Sequence, residues 1–205
     1  MSAQPILLDV ADGAVLDGDI DVPAAPRASV VLAHPHPLYG GNRYSNVVDA
    51  FFRALPPLAI AVLRFDFRGV GRSTGDHDDG RAERLDVAAA IDALVAIVPD
   101  APILVAGYSF GAEVALNVTD ARLAGWFAVA PPLAGASVLA APDHRHKLLA
   151  VPEHDQYNPP ERARERVSDW NNTAIVVIPG GDHFLAGRVS LATNLLGEFV
   201  DSFVR

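Results

Sequence analysis

A serine enclosed by two glycines, Gly107-Tyr108-Ser109-Phe110-Gly111, is where residue types and spacing in this chain first suggest chemistry. A hydroxyl at its free pKa is a weak nucleophile. It needs an adjacent imidazole to take its proton and a third group to orient that imidazole. The glycines suit a turn so tight that a Cβ at either position would strike neighbouring backbone. A serine at the centre of that turn projects toward substrate, and the amide of Phe110, opening the next helix, aims where negative charge would develop. The same five residues could also be a plain glycine turn with a solvated serine, so the surrounding elements and the partners have to decide.

Two later histidines follow predicted strands and could take that proton, His183 in Gly180-Gly181-Asp182-His183 and His154. The carboxylates within reach in sequence are Glu153, Asp155 and Asp182. Adjacent residues of an extended loop point opposite ways, so with Asp155 as the acid His154 faces elsewhere. An earlier pair, His34 and His36, could be read as two metal ligands. Proline follows each of them and no third ligand is evident, which suits a rigid loop better. Gly69-x-Gly71 resembles a dinucleotide fingerprint, but Thr74 stands where the third glycine is needed and no helix starts there. His77, among Asp76, Asp78 and Asp79, reads as a solvated loop.

The elements that must position these groups follow from hydrophobic pattern. Ile103–Ala106 is long enough for a buried strand and too short for a helix, and Ala112–Leu116 consists of good helix formers. Upstream, Ile6–Leu8 and Val15–Val22 predict an antiparallel pair turned at Asp12-Gly13. Val30–Ala33 and Ala59–Phe65 predict strands, with a helix over Asn46–Leu55 stopped by Pro56-Pro57 and another over Arg81–Val98. Downstream, strands are predicted at 125–130, 147–151 and 174–178, with helices over 159–170 and 190–203. Strands alternating with helices from residue 30 onward build a mostly parallel sheet covered on both faces. Ligands of such sheets bind at the carboxyl ends of the strands. His34, Asp66, Ser109, Asp155 and His183 each follow a different strand.

Composition narrows the possibilities. The chain has 205 residues, half of them hydrophobic, and is expected to form a single domain over 1–205. A net charge of −9 argues against nucleic acid, and no apolar run is long enough to span a bilayer. Cysteine is absent, which removes disulfides and thiolate chemistry. The start Met1-Ser-Ala-Gln-Pro5 lacks a signal-peptide pattern, so a cytoplasmic location is expected. Lys147, the sole lysine, is expected to be a solvated lead-in to a strand.

Four motifs in order resemble the α/β-hydrolase superfamily over nearly the whole chain: His34-Pro-His-Pro37, Asp66-Phe-Arg-Gly-Val-Gly-Arg-Ser73, Gly107-Tyr-Ser-Phe-Gly111 and Gly181-Asp-His183. The chain is most similar to short, lidless bacterial hydrolases related to dienelactone hydrolases and small esterases. The resemblance implies an α/β fold with an N-terminal antiparallel strand pair and a Ser109–His183–Asp155 triad, Asp155 lying where the family carries its acid. It also implies an oxyanion hole formed by the amides of Phe110 and a residue after the strand ending at Ala33. The family usually carries His-Gly-x there. Pro35 and Pro37 have no N–H, so His36 and Leu38 remain, and alignment favours His36. His34, Leu38, Tyr39 and Tyr108 are candidates for the pocket wall. Asp66 and Arg68 are expected to make structural ion pairs or hydrogen bonds.

The spacer Pro131–His146 is too short for a helical lid, which predicts an open site for small or short-chain esters or thioesters. No metal or organic cofactor is expected, and nothing in the pattern specifies an oligomeric state. A peptidase or perhydrolase using the same triad, and a non-catalytic binding protein on the same fold, are the alternatives.

Overall fold

The structure is a computed structural model that describes residues 3–135 and 138–204. Met1 and Ser2, part of the stretch read as lacking a leader pattern, lie outside it, as do Ala136 and Ser137 of the spacer.

The chain opens with an antiparallel pair, β1 (Gln4–Asp9) and β2 (Val15–Asp21). Parallel strands then alternate with helices: β3 (Ala28–Ala33), α1 (Asn46–Ala54), β4 (Ile60–Phe65), α2 (Glu83–Ile97), β5 (Ile103–Tyr108), α3 (Phe110–Leu116), β6 (Leu123–Val129), β7 (His146–His154), α4 (Pro160–Arg166), β8 (Thr173–Asp182) and α5 (Val189–Asp201). They form one eight-stranded sheet in the order β1-β2-β4-β3-β5-β6-β7-β8. β2 runs antiparallel to β4, and every pair from β4 to β8 is parallel.

Every residue of β3, β4 and β5 is buried, as expected for strands covered on both faces. The period of two divides them between two cores. Val31, Ala33, Val105 and Ala128 pack against α2 and α3 through Val87, Ile91 and Ala112. Val30, Leu32, Leu104 and Phe127 pack on the other side against α1 and α5 through Phe51, Leu196 and Phe199.

β7 and β8 run on to His154 and Asp182, past the predicted ends at 151 and 178, and two helices and the sole lysine also depart from expectation. α4 stops at Arg166 rather than Trp170, where the Ser168 hydroxyl donates to the Glu165 carbonyl at 2.8 Å and the chain leaves through a turn. α2 starts at Glu83, two residues later than predicted, because the Glu83 carboxylate accepts from the amides of Asp78 and Gly80 and holds 78–80 as a loop. Lys147 is fully buried rather than solvated. Its ammonium donates to the carbonyls of Asp143 and Arg145 at 2.6 and 2.9 Å, and burial lowers its pKa.

Candidate active site

The turn from β5 into α3 carries Ser109 at φ 53°, ψ −119°, a conformation costly for a residue with a side chain. It persists because its neighbours leave no room for another path. A Cβ on Gly107 would meet the Gly111 carbonyl, and one on Gly111 would meet the carbonyls of Ala33 and His34 at the end of β3. The Ser109 amide is fixed to the Val129 carbonyl of β6 at 2.9 Å.

β7 and β8 continue past the rest of the sheet, pairing as far as His154 and Asp182. Asp155 and His183 follow them directly, which brings residues 28 positions apart into contact. Ser109 Oγ lies 2.9 Å from His183 Nε2, and His183 Nδ1 lies 2.9 Å from Asp155 Oδ2. All three residues are buried, the Asp155 side chain completely. The other Asp155 oxygen accepts from the amides of Tyr157 and Asn158 at 2.9 and 3.1 Å. A carboxylate held on both oxygens has one orientation, and it fixes the imidazole in turn.

The rival groups face elsewhere. The His154 side chain is exposed. Glu153 accepts from the Gly180 amide at 2.7 Å and Asp182 from the Ala186 amide at 3.1 Å.

Ser109, His36, Tyr39 and Tyr108 line an open cleft of about 1130 Å³. Tyr108 also donates its hydroxyl to the His183 carbonyl at 2.9 Å, and burial raises its pKa. Two of the expected wall residues lie outside the cleft. His34 is fully buried beneath it, where Nδ1–H donates to its neighbour Pro35 and Nε2 accepts from the Phe67 amide at 2.9 Å. Burial depresses its pKa to about 4, so it is a neutral strut. Leu38 points into solvent at 70% exposure.

The Leu38 amide is occupied, donating to His36 Nδ1 at 3.2 Å. The amides of His36 and Phe110 have no acceptor among the described residues. Both residues line the cleft together with Ser109, so its wall carries two amides that have no acceptor among the described residues.

Asp66 and Arg68 make structural ion pairs as expected, with Arg43 at 2.7 Å and Asp86 at 2.7 Å respectively. His77 differs from its expected solvated setting. Its side chain is only 12% exposed, and Nδ1 sits 2.7 Å from the fully buried Glu83 carboxylate. Among the described residues no group of three or more His, Cys, Asp or Glu could hold a metal ion.

Sequence reasoning missed Tyr157, Asn158 and Phe184. The Tyr157 ring packs edge-on against His183 at 4.5 Å between centroids, and Phe184 does so at 5.7 Å. The two amides on Asp155 had a local signal, since Asp commonly accepts from the amide two residues on. The ring contacts had none.

The family profile of the serine aminopeptidases S33 matches residues 24–183, a span that takes in Ser109, Asp155 and His183. The chain belongs to this family. An α/β serine hydrolase homologue from Coxiella burnetii superposes on this member with a TM-score of 0.88 at 29% identity, covering 97% of this chain and 98% of that one. XC6422 from Xanthomonas campestris, described as an α/β serine hydrolase without a lid, gives a TM-score of 0.88 at 27% identity, covering 100% and 96%. The fold is therefore that of a lidless α/β-hydrolase. Uncharacterized protein RP471 of Rickettsia prowazekii (strain Madrid E) is 38% identical over 122 residues. That match takes in 58% of this chain and about half, 51%, of the length of RP471.

Proposed function

We propose that this family member is a serine hydrolase that cleaves small or short-chain carboxylic esters or thioesters through an acyl-enzyme on Ser109. The observation that carries the reading is the unbroken line from Ser109 Oγ to His183 Nε2 and from Nδ1 to Asp155, 2.9 Å at each step.

Ser109 Oγ attacks the substrate carbonyl carbon and its proton passes to His183 Nε2. Asp155 accepts the Nδ1–H bond throughout and stabilises the imidazolium. The carbonyl oxygen becomes an oxyanion, held by the amides of Phe110 and His36. Collapse expels the alcohol or thiol, which takes the proton from Nε2. Water then attacks the acyl-enzyme and gives a proton to Nε2, which returns it to Ser109 as the acid leaves. These side chains and water complete the cycle.

The open cleft, with no lid helix over it among the described residues, supports small substrates that enter from solvent. A fluorophosphonate probe should label Ser109 and lose its target in Ser109→Ala. p-Nitrophenyl esters graded by acyl length, with a lactone and a thioester beside them, should be turned over fastest at short chain length. A folded chain that the probe does not label would favour the non-catalytic alternative. Preference for long-chain triglycerides at a lipid–water interface would overturn the substrate class.

A further inference from the structure

His36 and Phe110, whose amides are those two donors of the cleft wall, also touch through their side chains, at 4.8 Å between ring centroids. A third ring closes the triangle. His77 lies 5.0 Å from His36 and 5.4 Å from Phe110. The triangle joins three separate segments of chain, the loop after β3, the loop before α2 and the first residue of α3.

His77 is held in that place by the loop that carries it. The Glu83 carboxylate, completely buried at the start of α2, accepts from the Asp78 and Gly80 amides at 2.9 Å each. Those bonds close the 78–80 turn and set the ring against the same carboxylate. Neither ring nitrogen has an aligned hydrogen bond among the described residues, although Nδ1 approaches Glu83 to 2.7 Å and Nε2 approaches the exposed Asp79 to 3.3 Å. Packing, more than directed bonding, is what the ring contributes.

We propose that His77 is a positioning residue for the oxyanion hole, its ring fixing the His36 amide relative to the Phe110 amide. The proposal rests on the serine-hydrolase reading above. Phe110 is anchored by the helix it begins. His36 lies in a short proline-flanked loop, and its donor must stay within a few tenths of an ångström of the oxyanion position to be useful. That bond strengthens as the tetrahedral intermediate forms. Loss of alignment therefore appears in kcat and leaves ground-state binding little changed.

The test compares the full chain with His77→Ala and His77→Phe. It measures kcat and KM on p-nitrophenyl acetate, inhibition by phenylboronic acid, which adds to Ser109 as a tetrahedral adduct, and thermal melting. His77→Ala should lower kcat about 10- to 100-fold, below the full loss of one oxyanion donor. KM should stay within about twofold and boronate inhibition should weaken alongside kcat. His77→Phe restores a ring and should recover most of kcat, and it keeps the question answerable if His77→Ala melts.

A folded His77→Ala with wild-type kcat overturns the proposal. So does a folded His77→Phe as impaired as His77→Ala, or a loss of kcat/KM that lies wholly in KM. Wild-type protein that fluorophosphonate fails to label overturns the hydrolase reading and this proposal with it. Labelled wild type beside an unaffected His77→Ala removes only the role of His77.

Discussion

Asp155 and Glu153 are carboxylic residues two positions apart, Glu153 near the end of β7 and Asp155 just past it. Their surroundings separate them. Asp155 is buried, with one oxygen on His183 and the other on two backbone amides, whereas half-exposed Glu153 reaches across to Gly180. On the proposed mechanism, Asp155→Asn keeps the shape and loses the charge that would hold the imidazole tautomer. It should lower kcat by about 10³- to 10⁴-fold, the scale seen when a triad acid becomes an amide elsewhere. Circular dichroism should stay unchanged. Glu153→Gln should remain within about threefold of wild type, since exposed polar changes rarely cost more than about 0.5 kcal/mol. The reverse ranking would move the role to Glu153. Sequence spacing alone left these two open, because both follow the strand predicted at 147–151.

At the scale of the element, the strand–turn–helix around Ser109 depends on contacts that a single methyl would break. Gly111→Ala would press a Cβ into the carbonyls of Ala33 and His34, and backbone does not yield as a side-chain tip does. A loss of about 3 kcal/mol or more is expected, together with reduced kcat, because the displaced carbonyls lead into the His36 loop. Urea unfolding and ester kinetics on the same variant check both.

His34 ties the exit of β3 to the exit of β4 through the Phe67 amide, and it does so as a neutral ring. The unfolded chain takes up a proton on His34 near pH 6.5, whereas the folded chain resists until about 4. The stability this residue supports is therefore complete above pH 6.5 and is lost as pH falls toward 4. The loss is about 1.4 kcal/mol per pH unit and about 3 kcal/mol across the window. Urea midpoints between pH 4 and 7 should slope more steeply in wild type than in His34→Gln. Parallel slopes would contradict the assignment.

Over the whole molecule, the sheet is closed on its N-terminal side by buried charge as well as by apolar packing. Arg43, from the loop after β3, meets Asp17 of β2 at 3.0 Å and Asp66 after β4 at 2.7 Å, with all three side chains largely buried. Arg64 of β4 pairs with Asp19 of β2 at 2.9 Å and with Asp49 of α1 at 2.8 Å. Removing one member strands the rest. Arg43→Met should destabilise by about 3–5 kcal/mol at pH 7 because two carboxylates lose their counter-charge in a low-dielectric setting. Part of that loss should return at lower pH as Asp66, whose carboxyl burial already pushes up, takes up a proton. An unchanged denaturation midpoint would show that the network contributes little. No helix among the described residues is long and apolar enough to cross a membrane.

The order of strands and helices and the glycine turn at Ser109 were legible in the sequence because each depends on neighbours within a few residues. Hydrophobic period, proline positions and the steric demands of glycine are local properties, and local properties survive transcription into a linear string. The meeting of Ser109, Asp155 and His183 had a family pattern to suggest it, but their separation in space is set by how far β7 and β8 continue past the sheet. Burial of Lys147, occupation of the Leu38 amide and the ring of His77 against His36 and Phe110 left no such trace. Each depends on a partner distant along the chain or on a backbone orientation fixed only after the layers pack. A polar residue keeps the same letter whether it faces water or a carbonyl, and only the folded arrangement distinguishes the two.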